Sequence, residues 1–200
     1  MIEYLVNIDK SLFLFLNGCH AWWLDQPMFW ISKTMVWIPL YLLLLWLLIR
    51  KFGWKTLWIL LFVVVMITVS DQLANVFKTG IQRLRPSHDP SLCCVHSVNG
   101  YKGGTFGFYS SHASNTFALA VFLVLVMRKY YRYLLPFMIG WAVLLSYSRI
   151  YLGVHFPGDI LTGMTAGILL GFLFGYACRY FLAKISSVPK KGKADQSAIR

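Results

Sequence analysis

The chain has 200 residues, enough for one compact domain, of which 58% are hydrophobic and only 13% charged. Soluble domains carry about 25% charged residues, so this composition, with a mean hydropathy of +0.61, excludes an ordinary soluble domain and marks an integral membrane protein. The net charge of +12 gathers in loops and at the C-terminus, without the basic, aromatic-interleaved face of a nucleic-acid binder, and that class is excluded too.

Residues 1–34 alternate apolar positions (Leu5, Ile8, Leu12, Phe15) with Glu3, Asp9 and Lys10. That pattern predicts amphipathic helices lying in the membrane interface, with Trp22, Trp23, Trp30 and Trp37 as the aromatic belt at headgroup level. No basic stretch leads into an apolar run, so no cleavable signal peptide is expected. Apolar runs then predict about five spans: Met35–Ile49, Leu57–Phe77, His112–Met127, Leu134–Tyr147 and Asp159–Cys178. The expected fold is an all-α polytopic membrane bundle over residues 35–184, followed by a disordered basic tail over 185–200.

Positive residues cluster at Arg50, Lys51 and Lys55, at Arg128, Lys129 and Arg132, and at Arg179, Lys184 and beyond. An odd number of spans puts all of these on one side, and positive residues favour the cytoplasm. The expected location is a bacterial inner membrane, with the C-terminus cytoplasmic and the 79–111 and 148–158 loops outside. The last span carries Gly163, Gly167, Gly171 and Gly175 at intervals of four, a pattern that lets helix backbones approach closely in lipid. Asp159 stands one interval ahead of it.

The polar residues of the outer side decide the chemistry. Asp71, Asn75 and Lys78 share one face of the second span. An ionisable group inside a span is costly enough to be a functional candidate, although Asp71 alone suits helix–helix hydrogen bonding and Arg83 and Arg85 suit lipid headgroups. Ser110 and Ser111 precede the third span as N-cap candidates, and a helix start offers N–H groups to an anion. The topology therefore delivers Lys78, Arg85, His112, Arg149, His155 and Asp159 to one membrane face. Three cations suit a substrate with several negative oxygens. Two imidazoles can divide into nucleophile and general acid, and a carboxylate four residues from one of them can orient it.

These residues form K-x6-R-P from Lys78 to Pro86, Y-S-S-H from Tyr109 to His112, and S-R-x5-H-x3-D from Ser148 to Asp159. Together they resemble the three signature motifs of the type 2 phosphatidic acid phosphatase superfamily, which also includes acid phosphatases and vanadium haloperoxidases. The first and third motifs match completely. The second departs from the family's P-S-G-H, with tyrosine for proline and Ser111 for glycine.

The resemblance implies that His155 attacks phosphorus to form a phosphohistidine, that Asp159 holds its ring, and that His112 protonates the leaving oxygen. It also implies that Lys78, Arg85, Arg149, the Ser110 side chain and the Ser111 amide hold the phosphoryl oxygens, with no metal and no cofactor. The implied substrate is a membrane lipid phosphate: undecaprenyl pyrophosphate, phosphatidylglycerophosphate, phosphatidic acid or lipid A.

Three other functions compete. A lipid transporter or scramblase would line a pathway with charges such as Asp71, but the sequence lacks the internal repeat many transporters show. A metal-dependent hydrolase would use His112, His155 and Asp159 as ligands. A structural anchor leaves the polar convergence unexplained. Cys19 can bridge Cys93 or Cys94, or stay free. A metal site at His88 and His96 is disfavoured. Oligomeric state and the role of the 87–106 loop are not legible.

Overall fold

The computed structural model describes residues 2–187; the expected tail from 188 onward lies outside the described residues. The protein is all-α: α1 (Ile2–Gly18), α2 (Trp22–Ile31), α3 (Ile38–Phe52), α4 (Thr56–Ile81), α5 (Ser111–Met127), α6 (Leu134–Tyr151) and α7 (Pro157–Ser187). The boundaries follow local chemistry. α3 ends at Gly53, whose φ of +53° suits a residue without Cβ. α5 starts at Ser110, whose side chain accepts the Ala113 N–H at 3.4 Å. α7 starts with Pro157 in its first turn. Asp159 reaches back so that its Oδ2 accepts the Phe156 N–H at 3.0 Å, the return half of a capping box.

The helix α5 is the centre of the bundle. Most of its side chains are buried, and it packs against α4, α6 and α7. The closest of these contacts is with α7, where the glycine ladder brings the backbones together: Gly163 faces the Ser110 carbonyl and Gly167 that of Ser114. Leu42, Leu57, Val64, Leu169 and Leu173 on α3, α4 and α7 stay exposed, as lipid-facing positions should. Residues 34–81, Leu134–Tyr151 and Pro157–Ser187 are long and apolar enough to cross a membrane, and α5 is a shorter apolar helix. The N-terminal segment is two helices, and both pack on the bundle. From α1, buried Asn17 donates to the Ile150 and Tyr151 carbonyls at 3.0 and 2.9 Å, adding to the backbone bonds that close the end of α6.

Four of the expected spans sit in helices that run further: α3 reaches Phe52 past Ile49, α4 Ile81 past Phe77, α6 Tyr151 past Tyr147 and α7 Ser187 past Cys178 and residue 184. All four cysteines are free thiols, so Cys19 forms no bridge. The basic turns meet at one end of the bundle: Lys55 donates to Ser186 at 2.6 Å, and Lys51 lies over the Tyr130 ring at 5.5 Å. The polar residues of the three motifs lie at the other end.

Candidate active site

The third motif turns from α6 into α7. Arg149 is buried in the last turn of α6, His155 sits in the connection at 1% exposure, and Asp159 lies in the first turn of α7 with none. His155 Nδ1 faces Asp159 Oδ2 at 3.5 Å, looser than a hydrogen bond. Its Nε2 lies 3.1 Å from Arg85 Nη1. A guanidinium can only donate, so Nε2 is the unprotonated nitrogen and the ring proton sits on Nδ1, towards the carboxylate. Burial, reinforced by Arg85, Arg149 and Lys78, holds the His155 pKa well below the usual imidazole value. The ring is therefore neutral, with a lone pair pointed at a cation.

Arg85 is fixed by backbone. It donates to the Phe106 and Val154 carbonyls at 3.2 Å each. The 87–106 loop supplies this cradle by returning antiparallel to residues 83–85, with Arg85 N–H bonded to the Thr105 carbonyl and Gly107 N–H to that of Arg83. A Cβ at Gly107 would stand 3.2 Å from Asp159 Oδ2 and 3.1 Å from Arg85 Cγ, so glycine lets the loop close over the site. Arg149 is held by Ser32 and by the Tyr101 hydroxyl at 3.3 Å. Burial pushes the Tyr101 pKa up, but the charge and hydrogen bond of Arg149 outweigh it and the net shift is downward.

From the second motif, Ser111 accepts a hydrogen bond from Lys78 Nζ at 3.1 Å. The hydroxyl that departs from the family pattern is thus a tether for a cation of the first motif. Tyr109, the other departure, is buried against Phe77, with ring centroids 5.4 Å apart. Ser110 Oγ is engaged as the helix cap, and its own O–H is still available to donate. His112 lines a cavity of about 520 Å³ between α3, α4, α5 and α6, whose deeper walls include Leu44, Leu48, Ile67, Leu123 and Leu145.

The structure thus brings His155, Asp159 and Arg85 into direct contact and pairs Lys78 with Ser111. Arg149 lies close enough for its charge to act on both His155 and Arg85. His112 stands where the polar end meets the apolar cavity. Two residues of this constellation were not anticipated. Arg83 is not a headgroup contact: it donates to Asp159 Oδ1 at 2.9 Å and to Asp9 Oδ2 at 2.6 Å, with its guanidinium 4.1 Å over the Phe156 ring. Asp9, on α1, also accepts the Gly158 N–H at 2.7 Å. The spacing held a signal for Arg83, since residues two apart in an extended segment share a face and Arg85 already occupied that face. Nothing marked Asp9 apart from other acids on an amphipathic helix.

Residues 56–183 match the family model of the PAP2 superfamily. The chain belongs to the PAP2 superfamily. It is a membrane-embedded lipid phosphatase of that superfamily. A lipid A 4'-phosphatase of Bacteroides thetaiotaomicron is 41% identical, across 96% of this chain and 88% of that protein. A lipid A 4'-phosphatase of Porphyromonas gingivalis is 37% identical, across 85% of this chain and 72% of that one. The crystal structure of a transmembrane PAP2-type phosphatidylglycerolphosphate phosphatase from Bacillus subtilis superposes with a TM-score of 0.67 at 24% identity, covering 93% of this chain and 90% of that one. The two proteins share the fold.

Proposed function

We propose that this PAP2 enzyme hydrolyses a lipid phosphate through a phosphohistidine on His155, without a metal ion. The observation that carries this reading is the His155 ring itself. It is neutral, backed by Asp159, and points its Nε2 lone pair at Arg85. An arriving phosphoryl group draws the Arg85 guanidinium onto its oxygens, and Nε2 is left facing phosphorus. Attack forms the N–P bond as the P–O bond to the lipid breaks. The ring becomes positively charged, and the looser Asp159 contact tightens as it does so. Lys78, Arg85 and Arg149 balance the charge of the transition state, with the Ser111 amide at the start of α5 and the Ser110 hydroxyl as further donors.

His112 is the group between the phosphate and the tail. It lines the cavity into which an acyl chain would extend, so the leaving oxygen passes it and takes its proton. In the second step the same imidazole draws a proton from water as the water attacks the phosphohistidine. The named relatives favour a lipid A phosphate of the bacterial envelope as substrate. The gathering of basic turns at the opposite end favours an outward-facing site and a cytoplasmic C-terminus.

The test is phosphate release from lipid A by the purified protein, with and without EDTA, beside His155→Ala. The proposal expects an EDTA-insensitive rate in the wild type and loss of at least about 10³-fold in the variant, comparable to removing a triad nucleophile. Quenching in alkaline detergent should trap a phosphoenzyme that is stable to base and lost in acid, in the wild type alone. Turnover by His155→Ala, or a strict requirement for added divalent metal, would overturn it.

A further inference from the structure

The apolar cavity is not uniformly apolar, and two hydrogen-bond acceptors face it from α4 and α5. One turn along α5 from His112 stands Asn115, and across from it on α4 stands Asp71; both line the cavity. Asn115 Nδ2 donates to Asp71 Oδ1 at 2.9 Å. That bond uses one of the amide's two N–H groups and leaves its oxygen and the second Asp71 oxygen as acceptors. Asn115 Oδ1 is buried with no hydrogen-bond partner, and among the described residues Asp71 receives only the Asn115 bond. Helix–helix adhesion alone explains neither the charge nor the orphaned oxygen. An unpaired buried acceptor is costly, and a ligand donor removes the cost.

We propose that Asp71 and Asn115 are specificity residues that accept a hydrogen bond from the substrate's acyl region. This rests on the reading of the cavity as the tail site. Asn115 lies three residues beyond His112, so its Cα is displaced by about 4.5 Å along the helix. That depth matches the first atoms of an acyl chain whose phosphate sits against His155. A donor at that depth is an amide N–H or a hydroxyl close to the acyl carbonyl. Ester-linked chains present only acceptors there and would set oxygen against oxygen. The site therefore favours amide-linked or hydroxyacylated lipid phosphates over diester glycerophospholipids. Deeper in the cavity Trp141 Nε1, a donor, is likewise buried without a partner, and suits an oxygen further along the same chain.

The experiment uses the full chain in detergent and a pair of phosphatidic acid analogues identical except for one acyl linkage, amide against ester. The readout is the ratio of kcat/KM for the two, which any folded fraction reports. A hydrogen bond to a charged acceptor predicts a wild-type ratio of about 10 to 100 in favour of the amide. Asp71→Leu and Asn115→Leu should bring the ratio towards one, and the milder Asp71→Asn should lie between. A wild-type ratio near one, or an unchanged ratio in both leucine variants, overturns the specificity role while leaving the phosphatase reading intact. No phosphate release from either lipid overturns both.

Discussion

Gly163→Ala tests how closely the site depends on the packing of α5 against α7. A Cβ at Gly163 would lie 2.4 Å from the Ser110 carbonyl oxygen, where real Cβ contacts essentially never fall below 3.0 Å. The backbones must separate by about 0.6 Å to reach that limit and about 1 Å to reach ordinary contact at 3.4 Å. The oxygen cannot turn aside, because it accepts the Ser114 N–H at 3.0 Å, while Ser110 N–H is bound to the Asp159 carbonyl at 3.1 Å. The added methyl therefore pushes apart the start of α5, which holds Ser111 and His112, and the start of α7, which holds Asp159. Overpacking of this kind costs about 1–3 kcal/mol, and a 1 Å misplacement of reacting groups costs about 10²-fold in rate.

The controls are in the same protein. Gly175→Ala meets Leu125 Cδ1 at 2.7 Å, a flexible side-chain end, and Gly140→Ala meets nothing within 4 Å. Phosphate release and melting in detergent should rank the variants in the order Gly163→Ala, Gly175→Ala, Gly140→Ala, with the first losing about 10²-fold in kcat. Turnover by Gly163→Ala within about twofold of Gly140→Ala would refute the idea that ladder packing sets the site geometry.

The remaining predictions concern the charges around His155. Because the folded pKa of His155 lies below an unfolded value of about 6.5, both states are neutral above pH 6.5 and the group then contributes nothing. Below it the unfolded chain takes up a proton that the folded one refuses, so stability falls with pH by up to about 1.4 kcal/mol per pH unit. Melting between pH 6.5 and 4.5 should decline less steeply in His155→Gln than in the wild type; equal slopes would sink this account. Arg83→Ala leaves the Asp159 carboxylate without its closest cation. A fall in kcat of about 10–100-fold is expected with little change in KM, together with lower stability, and partial recovery in Arg83→Lys. Wild-type kcat in Arg83→Ala would exclude a positioning role. Asp9→Asn keeps the shape of that contact and removes its charge, so its effect on kcat should go the same way and be smaller.

Much of this architecture could be read from the chain because each signal was local. Apolar runs located the helices, glycine spacing identified the face of α7 that meets α5, and charge bias collected the motif residues on one side. What could not be read was distance through space between segments without a shared period. The 87–106 loop has no periodicity, yet its return past residues 83–85 is what holds Arg85 against His155. Arg149 gave a motif match but no hint that Ser32 and Tyr101 would hold it, since those partners come from segments 117 and 48 residues away. Asp71 was legible as a buried charge, but the unpaired oxygen beside it belongs to a different helix.

Arg83 joins the local and non-local parts of the site. Asp159 serves two purposes, capping α7 through Oδ2 and facing His155 with the same oxygen, which leaves Oδ1 to be satisfied by something else. A buried carboxylate with one oxygen unpaired would be costly and free to rotate. Arg83 occupies that oxygen, and Asp9 in turn neutralises Arg83 while accepting the Gly158 N–H at the start of α7. The chain of contacts thus runs from the N-terminal helix to the His155 ring, the proposed nucleophile. In the proposed mechanism α1 belongs to the scaffold of the site, because the carboxylate that faces His155 is itself held from α1 through Arg83 and Asp9.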